Sequence, residues 1–100
     1  MNLITKNIAE ISSLCDVNSI RSLFAFGSVT TNRFREDSDV DLIVDIDEED
    51  PLAYTDKYFD LKFNLERLLN RKIDLLEQRA LKNPYLINEI DRTKVLVYGE

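Results

Sequence analysis

The architecture turns on IRSLFAFGSVTTNRFREDSDVDLIVDI, residues 20–46. Ile20 to Phe26 is apolar, rich in phenylalanine and halted by Gly27, the pattern of a short buried strand. The polar run 28–38 has no regular apolar period and reads as a loop or a short helix. From 40 to 46 the chain alternates. Val40, Leu42, Val44 and Ile46 take one side, and Asp39, Asp41, Ile43 and Asp45 take the other. That is a strand with one face in a core.

Working outward, Ile4, Ile8, Ile11 and Cys15 recur at helical spacing with Leu14 beside them, so residues 3–15 read as one amphipathic helix. After the alternating strand, Asp50-Pro51 pairs an N-cap oxygen with a proline at the first helical position. Tyr54, Tyr58, Leu61, Leu65 and Leu68 follow at spacings of four, three, four and three, carrying that helix to about Asn70. Lys72 to Glu77 predicts a third strand, with Ile73 and Leu75 on one face and Asp74 on the other. Asn83-Pro84 opens a short helix bearing Leu86, Ile87 and Ile90, and Val95 to Tyr98 closes the chain as a strand. The sum is one mixed α/β (α+β) domain over residues 1–100.

Composition agrees with a compact globule. The 100 residues have a mass of 11.7 kDa, 44% hydrophobic and 32% charged, with two glycines and two prolines. Area scaling predicts that folding buries roughly 65% of the surface of such a chain, enough for a core without disulfides or a structural metal. The net charge of −6 is the reverse of a generic nucleic-acid binder, so no stable nucleic-acid binding is expected. Cys15 is the sole cysteine, which excludes an intrachain disulfide and suits a reducing compartment. With no signal-peptide pattern and no 18-residue apolar run, a cytoplasmic protein without a membrane span is expected. Histidine is absent, which removes Ser-His and Cys-His catalysis and His-ligated zinc. Only oxygen ligands remain for a metal, and these favour hard cations such as Mg²⁺.

The candidate chemistry lies in the carboxylates. Asp39 and Asp41 stand at i and i+2 on one strand, about 6–7 Å apart at strand rise. Such a pair bridges one metal or holds two ions about 3.5–4 Å apart, as two-metal phosphoryl chemistry requires. Asp74 lies on the polar side of the next strand, where the intervening helix returns the chain beside the pair. Three carboxylates on one face repel one another until a divalent cation neutralises them. Taken alone, Asp-x-Asp on an alternating strand is more often a solvated outer face. Asp45, which runs into Asp47, Glu48, Glu49 and Asp50, is read that way. Gly27-Ser28 shifts the balance: glycine after a strand permits a tight turn and close approach of a ligand, and backbone N–H groups with the Ser28 hydroxyl cradle phosphate.

Gly27-Ser28, ten residues, then Asp39-Val40-Asp41-Leu42 resembles the GS-x10-DxD signature of the minimal nucleotidyltransferases of the DNA polymerase β superfamily. The likeness continues through KIDLLE, where Asp74 falls at the family's third carboxylate, to VLVYG, covering roughly residues 20–99. It implies a nucleotidyltransferase fold, a small mixed sheet with helices packed mainly on one face. It also implies transfer of a nucleoside monophosphate, AMP from ATP, to a hydroxyl, with release of pyrophosphate. By position, Gly27 and Ser28 hold the triphosphate and Asp39 and Asp41 bind Mg²⁺. Asp74 helps bind a second ion and deprotonates the acceptor. Small stand-alone members are antitoxins paired with HEPN-domain ribonucleases, whose tyrosine they adenylylate. The resemblance therefore implies a HEPN toxin as partner, held in a hetero-oligomer.

One departure is plain. Many relatives carry arginines soon after Gly-Ser, where this chain has Val29, Thr31 and Asn32. Arg33 and Arg35 come later in the loop and stand either as substitute phosphate contacts or as solvated charges. Two further readings stay open: an antitoxin that neutralises its partner by docking without turnover, and transfer to a small hydroxylated molecule. Phe59 and Phe63 widen the apolar stripe of the long helix, as a contact with a partner or a second copy does. Cys15 reads as a small buried hydrophobe.

Overall fold

A computed structural model describes residues 1–99. Four strands, β1 (Ile20–Phe26), β2 (Val40–Ile46), β3 (Ile73–Glu77) and β4 (Val95–Gly99), form one sheet in the order β3-β2-β1-β4. β1 pairs antiparallel with both β2 and β4, while β2 and β3 run parallel. A parallel pair needs a crossover of a dozen residues or more. Helix α3 (Pro51–Leu69) supplies it. The sheet is therefore mixed, as expected.

The first helix is corrected by the structure. Residues 2–17 form two helices, α1 (Asn2–Lys6) and α2 (Ile8–Val17), broken at Asn7 with φ −112° and ψ 15°. The Asn7 amide donates to the Leu3 carbonyl at 2.8 Å, a local side-chain bond that competes with continued helix. Apolar spacing is blind to that competition, because Ile4, Ile11 and Cys15 reach the core from both pieces.

Helix α3 starts where Asp50 Oδ2 accepts from the Ala53 N–H at 2.9 Å, with Pro51 next, and ends at Asn70 in the left-handed region. Its inward stripe is Leu61, Leu65 and Leu69, all buried, with Leu68 at the margin. These meet Leu23, Ala25, Val40, Leu42, Val44, Ile46, Ile73 and Leu75 from one face of the sheet. Cys15 is fully buried in the same core, and burial pushes its thiol up to about 12.

Helix α4 (Pro84–Thr93), capped by Asn83, returns to the other face of the sheet. Its Ile90 is buried, and the Lys94 ammonium at its end lies 4.5 Å above the Phe24 ring. Ile43 shares the aspartate side of β2 yet is only 5% exposed, because α4 covers that end of the face. The other end stays open.

Candidate active site

The open end holds the aspartates. Parallel register sets Asp41 opposite Asp74, and antiparallel register sets Asp41 opposite Phe26. Because side chains alternate along strands, residues paired across neighbouring strands share a face. Asp41 and Asp74 therefore sit side by side, with Phe26 completing the row. Asp39 lies one residue before β2, exposed, in the loop that delivers the strand. It is thus at the strand's mouth and not within it.

Just past Phe26 the chain enters a 3₁₀ turn, Gly27–Thr30, with Gly27 at φ +73°. The Thr30 hydroxyl donates to the Gly27 carbonyl at 2.7 Å and the Thr31 hydroxyl to the Ser28 carbonyl at 2.9 Å, pinning the turn. A Cβ on Gly27 would stand 2.6 Å from Asp41 Oδ2. Glycine is required there twice over: for the positive φ and for room beside the Asp41 carboxylate. The structure thus brings Gly27, Ser28, Asp41 and Asp74 to one end of the sheet, with Asp39 beside them.

Charge at this corner is uncompensated. Among the described residues, no lysine or arginine forms an ion pair with Asp39, Asp41 or Asp74. Desolvation first, then the Asp74 and Asp39 charges, hold the Asp41 carboxyl above its ordinary value of 3.8. An all-oxygen donor set with mutual repulsion and no protein cation fits a hard divalent ion. Among the described residues, no group of three carboxylates is already arranged to hold a metal ion. Asp45 is separate, as expected: Arg21 bridges it at 3.2 Å to Asp47 at 2.8 Å.

A cleft of about 460 Å³ opens beside the turn, walled by Ser28, Thr31 and Arg33 on one side and Leu86, Glu89 and Thr93 of α4 on the other. Arg33 therefore lines a concave surface next to Gly27-Ser28, while Arg35 faces a different groove together with Arg71. The contribution of α4 was not legible in the motif. Leu86 and Ile90 read simply as core spacing.

Paired carboxylates at one end of a sheet beside a glycine-serine turn are an arrangement suited to the transfer of phosphoryl-linked groups. The model of the polymerase beta nucleotidyltransferase family matches residues 7–100, and the chain belongs to that family. A Methanocaldococcus jannaschii protein named provisionally as a protein adenylyltransferase is 31% identical over 84 residues, covering 84% of this chain and 83% of that one. The protein adenylyltransferase MntA of Thermococcus cleftensis is 38% identical over 64 residues, 64% of this chain and 62% of that one.

Among solved structures, one described provisionally as a minimal nucleotidyltransferase superposes with a TM-score of 0.75 at 33% identity, covering 95% of both chains. A toxin–antitoxin crystal structure with AMP-PNP gives 0.73 at 22% identity, over 94% of this chain and 74% of that one. A tri-AMPylated Shewanella oneidensis HEPN toxin in complex with its MNT antitoxin gives 0.67 at 20%, over 97% and 73%. These last two share the fold. Among the described residues, no helix is long and apolar enough to cross a membrane.

Proposed function

We propose that this nucleotidyltransferase is a Mg²⁺-dependent protein adenylyltransferase that moves AMP from ATP to a tyrosine hydroxyl of a HEPN-domain toxin, and so acts as its antitoxin. The carrying observation is the row Asp74–Asp41 in register beside the Gly27 turn. The names of the Methanocaldococcus and Thermococcus relatives support protein as the acceptor class, and the fold neighbour holding an AMPylated HEPN toxin supports the partner. The fold neighbour with AMP-PNP supports ATP as donor.

In this reading Asp39, Asp41 and Asp74 hold the cation or cations, which supply charge neutralisation at the transferring phosphoryl group. The Gly27–Thr30 turn offers backbone N–H groups and the Ser28 hydroxyl to the triphosphate, and Arg33 reaches the same cleft. Asp74, the outermost carboxylate of the row and exposed, faces the incoming acceptor and takes the proton of its hydroxyl. The acceptor oxygen bonds to the α-phosphorus, the bond from that phosphorus to the bridging oxygen breaks, and pyrophosphate leaves.

A second reading, inhibition by docking alone, has one observation in its favour. Phe59 and Phe63 stack at 5.5 Å on the outer face of α3 while 43% and 55% exposed, an apolar surface the fold does not use. Intact-mass measurement decides between the two. A HEPN-domain toxin incubated with this chain, ATP and Mg²⁺ is expected to gain one or more AMP units. The Asp39→Asn/Asp41→Asn double variant is expected to add none. A stable complex with no mass gain would replace transfer by docking.

A further inference from the structure

We infer that Arg71 is a positioning residue that holds the Asp39-bearing segment in place for the metal. Arg71 follows the left-handed Asn70 that ends α3 and lies two residues before β3. Its Nη1 forks to two carbonyls of the loop before β2, donating to Arg35 O and Ser38 O at 3.0 Å each. Its guanidinium also stacks 4.6 Å from the Phe34 ring, which itself packs on the core. The loop is tightened internally by reciprocal bonds: the Arg35 N–H to Ser38 Oγ at 3.0 Å and the Ser38 N–H to Arg35 O at 3.1 Å.

The placement is specific to Asp39. Arg71 seizes the residue before it, and the backbone of Lys72 accepts from the Val40 N–H, the residue after it, at 3.1 Å. Asp39 is bracketed from both sides by two consecutive residues, Arg71 and Lys72, and Asp74 lies two residues further along that same segment. The bracket thus fixes two of the three carboxylates relative to each other. It is needed because Asp39 lies outside the strand ladder, where no sheet hydrogen bonds hold it.

Sign separates positioning from charge. A guanidinium near the aspartates repels a cation, so if Arg71 acted through charge alone its removal would tighten metal binding. If it acts by holding the loop, removal loosens binding, by about ten-fold for a supporting contact of this kind. The inference rests on the reading of Asp39, Asp41 and Asp74 as metal ligands.

The test is Mn²⁺ binding to the full chain, followed by the loss of free-ion signal in electron paramagnetic resonance. Arg71→Met is expected to weaken Mn²⁺ about ten-fold, with Arg71→Lys recovering part of the loss through its remaining donors. Phe34→Leu, which keeps the cation but removes the ring it rests on, is expected to shift binding the same way by a smaller factor. It serves equally if Arg71→Met fails to fold by circular dichroism. Binding in Arg71→Met as tight as wild type, or tighter, overturns the inference, as does unchanged binding in Phe34→Leu when Arg71→Met is unfolded. Asp41→Asn tells the two levels apart. Its failure to weaken Mn²⁺ would overturn the metal reading itself, and with it this one.

Discussion

Gly27→Ala should damage the site through one atom. The new Cβ meets Asp41 Oδ2 at 2.6 Å, roughly 1 Å inside ordinary van der Waals contact. Gly27 also sits at φ +73°, where a side chain costs about 1–2 kcal/mol. Relief requires the Asp41 carboxylate to swing away from the face it shares with Asp74. Backbone strain and displaced carboxylate together should remove about 1–3 kcal/mol of stability. That is a melting-temperature drop of about 4–8 °C per kcal/mol in a domain of this size. Displacing a reacting group by about 1 Å costs on the order of 10²-fold in rate. Urea titration reads the first effect, and the rate of AMP addition to the proposed HEPN acceptor reads the second. The contact itself is isolated by repeating Gly27→Ala in an Asp41→Ala background, where the φ penalty remains but the carboxylate is gone. There the substitution should be milder by at least about 0.5 kcal/mol, the coupling expected of touching groups. An equal cost in both backgrounds, or transfer at the wild-type rate, would refute the reasoning.

Other predictions test the charge and the frame. Because folding raises the Asp41 pKa, the native state holds that proton more tightly than the unfolded chain does. Stability present below the ordinary value of 3.8 is lost as pH climbs through the higher native value. Asp41→Asn should therefore melt above the metal-free wild type at pH 7, and the difference should shrink as the pH falls toward 3.8; thermal melts in chelator check it. Tyr58→Phe removes a 2.6 Å bond to the Leu75 carbonyl on the strand bearing Asp74. It should cost about 1 kcal/mol and speed amide exchange along β3. Asp50→Ala deletes the α3 cap and should cost about 0.5–2 kcal/mol by urea titration. Leu65→Ala, at a fully buried position, should cost about 2–5 kcal/mol.

Much of the frame was legible because each element carried its own local signal. Alternation located β2 from 40 to 46, and Asp50-Pro51 located the start of α3, both without error. The failures share a cause. The break at Asn7 arises from a side chain bonding a backbone carbonyl four residues back, which leaves the apolar period untouched. Asp39 reads as a strand residue because alternation extends to it, yet pairing with β3 begins at Val40. Whether a carboxylate is in the ladder depends on its neighbour strand, which spacing along one strand does not encode.

The site divides along the same line. Gly27, Ser28, Asp39 and Asp41 stand out as a spacing and Asp74 by its place on the next strand, but neither signal says why Asp41 and Asp74 end up adjacent. That follows from topology: only the parallel β2–β3 pairing made by the α3 crossover puts Asp41 opposite Asp74. The supports were invisible for the opposite reason. Arg71 sits in a three-residue turn with no period, and its partners Arg35 and Ser38 offer only backbone carbonyls, which every sequence has. A fold that gathers uncompensated carboxylates must resist their repulsion with contacts that carry no motif. Tyr58 on Leu75, Glu66 on the Ile73 N–H and Arg71 on Ser38 are such contacts, all directed at the segments that bear Asp74 and Asp39. Removing any of them should therefore loosen the carboxylates before it unfolds the domain.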